Sequence, residues 1–369
     1  MNELSIVLGA DRPDLIREET LSELFRRSAH EYPDNTALIF HDQSLTYTEL
    51  DRWSDAVALY LKEKGIGPKS NVGVWWQRGL ELHVIILGIV KAGAAYVPVD
   101  REIPAERVEV ILQEVGAAAC FSMQQLNVDC EMLVVPAPSK SPTVGETLAA
   151  TAFKVFQPIG GGALAGMAFN EVGNSDKVER NGEFEPEPGK LQKVSATGGD
   201  LEEAELGELQ KVSPTGGDLE GAGAGAGPLP FDCAYVLYTS GSTGKPKGIP
   251  ISHQQICHLV RSEQSILQIR PADKVYQGFS VSFDMWCEET WISYFAGAAL
   301  WVSDNITSKA VDELSDVLRK EKITVLHAVP SLLAVIEDSL PSLRLVNAGG
   351  EACTPQVLAK WAKEGRRFF

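Results

Sequence analysis

The sequence predicts an α/β fold with parallel strand pairing, and three observations carry that expectation. Helical periods alternate with short apolar strand-like runs from Leu21 to Val115. The alternation resumes after Pro230 and continues to Phe369. A chain of 369 residues is also long enough to bury one large α/β core or two smaller ones.

LSELFRRSAHEYP, from Leu21, has helical period, and TALIFHDQSLTY, from Thr36, reads as a hairpin. YTELDRWSDAVALYLKEKG is an amphipathic helix ending at Gly65. NVGVWW, from Asn71, is a strand, and GLELHVIILGIVKAG, from Gly79, a second helix. Helices lying between buried strands imply parallel pairing. KAGAAYVPVDREIPAER (Lys91 to Arg107) then reads as a helix end, a strand and a Pro-rich turn.

The order stops near Pro136. Pro136 to Pro230 holds glycine runs, the acidic stretch GEFEPEPGK, and a tandem repeat in which LQKVSATGGDLE (Leu191 to Glu202) returns as LQKVSPTGGDLE (Leu209 to Glu220). Two copies are too few for a solenoid, and this composition buries too little surface to offset its ordering entropy. The chain is therefore expected to divide into an N-terminal extension (1–20), a first core segment (21–135), a disordered insertion (136–230) and a second core segment (231–369).

A formal charge of −17 argues against nucleic acid and anionic membranes as partners. No run reaches the ~20 apolar residues of a membrane span, and the N-terminus lacks a signal-peptide pattern. Six scattered cysteines form no C-x-x-C pair, so reduced thiols in a cytoplasmic protein are expected. Cys257 and His258 are helix neighbours that point apart, and the Trp53, Trp75, Trp76 and Trp301 group reads as core.

YTSGSTGKPKG (Tyr238 to Gly248) concentrates glycines, hydroxyls and lysines between the strand CAYVLY and IPISHQQICHLV, an exit strand followed by a helix capped at Ser252. Backbone N–H groups, hydroxyls and an ammonium together suit phosphate oxygens. The nucleotide P-loop pattern does not fit, because Gly241 and Gly244 are too close and Pro246 follows Lys245. A flexible surface turn is the plain alternative. Two further stretches stand out: FDMWCEETW (Phe283 to Trp291), and LVNAGGEA (Leu345 to Ala352), a buried strand whose glycine pair lets a flat ring approach the backbone. Read as a helix start, the former sets Asp284 and Glu288 at i,i+4, with β-carbons roughly 5–6 Å apart on one face. Two ammonium groups on one ligand would relieve the repulsion between such carboxylates.

With LTYTEL (Leu45 to Leu50), these motifs follow in order those of the adenylate-forming enzymes, and the chain most closely resembles the adenylation domains of nonribosomal peptide synthetases. The resemblance covers residues 20–369 outside the insertion. It implies the large N-terminal part of that fold, built of layered α/β sheets. It also implies activation of an amino acid carboxylate with ATP and Mg2+, then transfer to the phosphopantetheine thiol of a peptidyl carrier domain. By the same resemblance Thr239, Ser240, Gly241, Ser242, Thr243, Gly244 and Lys247 hold ATP phosphates, and Gly349, Gly350 and Glu351 line the adenine. Asp284 pairs with the substrate's α-ammonium, and Met285, Glu288, His327, Val346 and Ala348 complete the pocket. Trp286 stands where the family has a serine. Ornithine, lysine or another diamino acid is the candidate substrate.

Plain structural readings stand beside these. Asp284 fits a helix N-terminal acid, Glu288 a solvated helix face, and His327 a satisfied core histidine. The family's N-x-Y-G-P-T-E motif, ribose-binding aspartate and lid lysine would all lie beyond Phe369. The chain is accordingly expected to be the front of an adenylation domain, inactive alone, with a noncatalytic nucleotide-binding or interaction protein, or a fragment of an acyl-CoA ligase, as the alternatives.

Overall fold

The computed structural model describes residues 12–133, 135, 227–240, 246–304, 311–337 and 339–369. The chain divides into one unit of Met1–Phe156 with Gly225–Phe369, and another of Gln157–Ala224. The second unit, the tandem repeat within it and nearly all of the segment 136–230 lie outside the described residues.

Helices start where side chains satisfy their first N–H groups. Thr20 and Glu23 form a capping box at α1 (Leu21–Glu31), Thr46 and Glu49 at α2 (Tyr47–Glu63), and Ser252 and Gln255 at α5 (His253–Leu267). The expected hairpin is present as β1 (Thr36–Phe40) paired antiparallel with β2 (Gln43–Thr46). α3 (Leu80–Ala92) and α4 (Ala105–Glu114) alternate with β3 (Asn71–Trp75), β4 (Ala95–Pro98), β5 (Ala119–Ser122) and β6 (Glu131–Leu133).

After the insertion come β7 (Cys233–Ser240), β8 (Pro246–Ser252), β9 (Lys274–Gln277), α6 (Asp284–Ala296) and β10 (Ala299–Val302). α7 (Val311–Lys320), β11 (Val325–Ala328), α8 (Pro330–Val335), β12 (Leu345–Ala348), α9 (Pro355–Trp361) and β13 (Arg367–Phe368) complete the order. The strands form two sheets, ordered β13-β12-β11-β9-β10-β1-β2 and β6-β5-β3-β4-β7-β8. Pairing is parallel except at β1/β2 and β7/β8, as expected for strands joined through helices.

The two sheets share a middle layer of helices. The largest core joins Val72, Val74 and Phe121 of one sheet to Val275, Leu300 and Val325 of the other through α1, α2, α3, α5 and α6. The outer face of the first sheet packs under α7, α8 and α9, and that of the second under α4. Having sheet on both sides, α3 is apolar around nearly all of its surface. Among the described residues no helix is long and apolar enough to cross a membrane. All six cysteines are free thiols, and burial pushes Cys120, Cys257 and Cys287 up to about 12, which keeps them unreactive.

α2 and α3 approach closely at one point. A β-carbon on Gly88 would stand 2.5 Å from Val57 Cβ and Cγ1 and 3.1 Å from the Ser54 carbonyl. Gly88→Ala is therefore expected to destabilise the fold by about 1–3 kcal/mol through overpacking, read as a lower urea midpoint. An unchanged midpoint would show that the two helices separate without cost.

Candidate functional site

An open cavity of about 590 Å³ lies where parallel strands of both sheets end. Its wall takes Arg78 after β3 and Asp100 after β4 from one sheet, and Gly278 to Ser280 after β9, Val329 after β11 and Gly350 after β12 from the other. Ligand crevices of α/β folds form at these carboxyl ends of strands.

The segment entering α6 is fastened on three sides. The Arg78 guanidinium donates to the Gly278 carbonyl at 2.9 Å. The Asp100 carboxylate accepts from the Ser280 hydroxyl, and the Asp100 N–H donates to Ser282 Oγ at 2.8 Å. Glu289, fully buried on α6, accepts from Gln277 Nε2 at 3.0 Å, Gly278 N at 3.1 Å and Phe279 N at 3.3 Å. Asp284, the first residue of α6, is thereby held at the cavity wall beside Met285, and the helix N-terminus favours its carboxylate.

Opposite stands the turn after β12. Gly350 has φ +82°, a conformation that strains any other L-residue, and both it and Glu351 line the cavity. Glu351 accepts from Ser331 N at 2.9 Å and Ser331 Oγ at 3.0 Å, tying the turn to the start of α8. Gly349 lies beside Met285, where an added β-carbon would make ordinary contact at 3.8 Å.

Glu288 points inward, not to solvent. Its Oε1 accepts from Asn347 Nδ2 at 2.6 Å and lies 3.1 Å from Nδ1 of a wholly buried His327 side chain. Both partners come from adjacent positions, because β11 and β12 pair His327 with Asn347. That register also places two expected pocket walls. Val346 and Ala348 fall on the other sheet face, in the core under α9, since alternate strand residues point to opposite sides. Asn347 between them is the residue facing α6.

The residues flanking the glycine-rich segment are strand arms. β7 runs on through Thr239 and Ser240, and Thr239 pairs with Lys247 of β8. Gly241, Ser242, Thr243 and Gly244 lie outside the described residues. Thr239 and Lys247 are exposed, and neither lines the cavity.

Sequence reasoning missed Arg78, Glu289 and Asn347. Asp100 stood within a quoted motif but was assigned no role. A carboxyl directly after Glu288 was a signal for Glu289, since neighbouring residues on a helix face directions about 100° apart.

Two sheets around a shared helical layer, with the β7–β8 hairpin at the edge of one sheet and an acid-headed helix in the layer between them, agree with the class of adenylate-forming enzymes. The AMP-binding enzyme family matches residues 25–368, and the chain belongs to that family. Among curated relatives, delta-poly-L-ornithine synthetase of Acinetobacter baumannii is 33% identical over 368 residues, covering 100% of this chain and 22% of that protein. Bacitracin synthase 2 of Bacillus licheniformis is 28% identical over 344 residues, covering 92% of this chain and 10% of that protein. The chain thus spans less than a quarter of either relative. Among solved structures, the nonribosomal peptide synthetase FmoA3 superposes with a TM-score of 0.68 at 22% identity, over 96% of this chain and 31% of that one. The N-terminal subdomain of Klebsiella oxytoca NpsA gives 0.64 at 20% identity, over 92% of this chain and 69% of that one.

Burial pushes the Glu289 carboxyl up to about 7, while His327 and the donors at Gly278, Gln277 and Phe279 pull it the other way. The folded chain therefore keeps this proton where the unfolded chain, with an ordinary value of 4.5, has released it. The stability this group contributes is fully present below about pH 4.5 and lost as pH rises through about 7. Urea unfolding at stepped pH should show wild type losing about 3 kcal/mol relative to Glu289→Gln between pH 4.5 and 8. A difference independent of pH would show that the buried carboxyl does not titrate there.

Proposed function

We propose that this chain forms the ATP- and amino-acid-binding part of an enzyme that activates an amino acid carboxylate as an aminoacyl-adenylate. The observation carrying this reading is Asp284, a carboxylate held at the head of α6 in the cavity wall. A carboxylate fixed there suits an α-ammonium, which acyl-CoA-type substrates lack.

In the reaction, a carboxylate oxygen of the substrate bonds to the α-phosphorus of ATP, the bond from that phosphorus to the bridging oxygen breaks, and pyrophosphate leaves with the electron pair. In-line positioning and neutralised charge are the main requirements. The β7–β8 hairpin with Thr239, Ser240 and Lys247 is assigned to the phosphates, and the Gly349–Glu351 turn to the adenine. The clamps from Arg78, Asp100 and Glu289 hold the backbone that presents Asp284. Transfer to a phosphopantetheine thiol on a carrier domain follows in this reading. Mg2+ would neutralise phosphate charge; among the described residues no group of three metal-ligating side chains forms, so no step is assigned to it.

The substrate is proposed to be a diamino acid. Support comes from the second carboxylate, Glu288, one helical turn beyond Asp284, and from similarity to a relative whose name specifies ornithine.

Isothermal titration of the chain with the sulfamoyl-adenosine conjugates of L-ornithine and L-leucine tests the reading. Asp284→Ala should weaken both by about 2 kcal/mol, or ~30-fold, by stranding the α-ammonium. Unchanged affinity for both would remove Asp284 from the site and with it the amino acid assignment.

A further inference from the structure

The Glu288 cluster reaches a second helix. Glu263 of α5 lies three residues after Val260, seven after Ile256 and four before Leu267, all buried. That spacing puts its carboxylate on the inward stripe of α5, which packs against α6. It is half-buried and, among the described residues, makes no hydrogen bond or ion pair. Burial, then the charge of Glu288, raises its proton affinity.

Two more acceptors there are open. Glu288 uses only Oε1 towards His327 and Asn347, which leaves Oε2 without a protein partner. His327 Nδ1 lies against both Glu288 Oε1 and Asn347 Nδ2, at 3.1 and 3.3 Å, and in the tautomer whose Nδ1–H donates to Glu288 the ring's lone pair is on Nε2. That atom is buried and has no hydrogen-bond partner. A buried polar atom without a partner is costly, and the charges of Glu263 and Glu288 repel. An alkylammonium brings a positive charge and three N–H donors to this surplus of acceptors.

Length agrees. Asp284 and Glu288 are separated by four residues of helix, a rise of ~6 Å. The two nitrogens of an extended amino acid with three side-chain methylenes are about 6 Å apart.

We propose that Glu263 completes, with Glu288 and His327, a second cation subsite that takes the side-chain ammonium of a diamino acid whose α-ammonium rests on Asp284. The proposal rests on the amino acid reading above and adds a specificity-determining residue from a helix outside the cavity wall.

The test titrates the chain with the sulfamoyl-adenosine conjugates of L-ornithine and of L-norvaline, which lacks only the distal ammonium. Wild type should favour the ornithine conjugate at least ~10-fold. Glu263→Gln should remove about tenfold of ornithine affinity and leave norvaline unchanged, so that norvaline binding also reports a folded site. Glu263→Asp, which keeps the charge, should restore part of the loss. An unaltered ornithine affinity in Glu263→Gln overturns the role of Glu263. So does a loss shared equally by norvaline that Glu263→Asp does not repair. Equal wild-type affinity for both conjugates removes the distal subsite but spares the amino acid reading, whereas binding of neither defeats both.

Discussion

The lysine at the end of the central helix sets the geometry on which the site depends. Lys91 Nζ, wholly buried, donates to Asp51 Oδ1 at 2.6 Å, the Asp51 carbonyl at 2.8 Å and Asp55 Oδ1 at 2.9 Å. An ammonium taken from water and left unpaired costs several kcal/mol, so this trio of contacts fixes how α3 sits against α2. α2 in turn opens with Tyr47, whose hydroxyl donates to the carbonyls of Ser293 at 3.1 Å and Ala298 at 2.9 Å. Those carbonyls lie at the end of α6. The helix that carries Asp284, Glu288 and Glu289 is thus positioned through a chain of buried polar contacts running across the middle layer.

Along α6, one short acidic segment meets three environments. Asp284 stands at the exposed helix head, Glu288 is half satisfied against β11 and β12, and Glu289 is fully enclosed by the turn after β9. Desolvation dominates at Glu289 despite three donors, and its carboxyl is raised. A group so placed organises backbone. Its neighbour keeps one oxygen open and retains the capacity to bind something else.

Much of the fold was legible because its signals are local. The cap at Ser252, the β1/β2 hairpin and the continuous apolar run of α3 each depend on neighbours in sequence, and each appears where the residue pattern put it. The site was less legible because it depends on facing and register. In LVNAGGEA the pattern does not say which residues of the strand look toward α6; only the pairing of His327 with Asn347 turns Val346 and Ala348 away. Arg78 and Glu289 act on backbone groups about 200 and 11 residues distant in sequence, a kind of contact that carries no residue pattern. Glu263 reads as one more polar residue on an amphipathic helix until its place among Val260, Ile256 and Leu267 shows it on the buried side.

The formal charge of −17 bears differently on the two ligands of the proposed reaction. Long-range repulsion of a nucleotide by so acidic a chain is screened beyond about 8 Å at physiological ionic strength, so local donors decide its binding. In the proposed arrangement Arg78, after β3 at the cavity wall, and Lys247, on the β8 arm of the same sheet, are the candidate donors. A diamino acid carries net positive charge and meets the opposite situation. The general field attracts it, and the partly unsatisfied acids of α5 and α6 give that attraction a fixed end point. In the proposed arrangement selectivity rests less on the field, which favours any cation, than on the spacing of acids along α6, which matches a cation whose second charge stands one helical turn from its first.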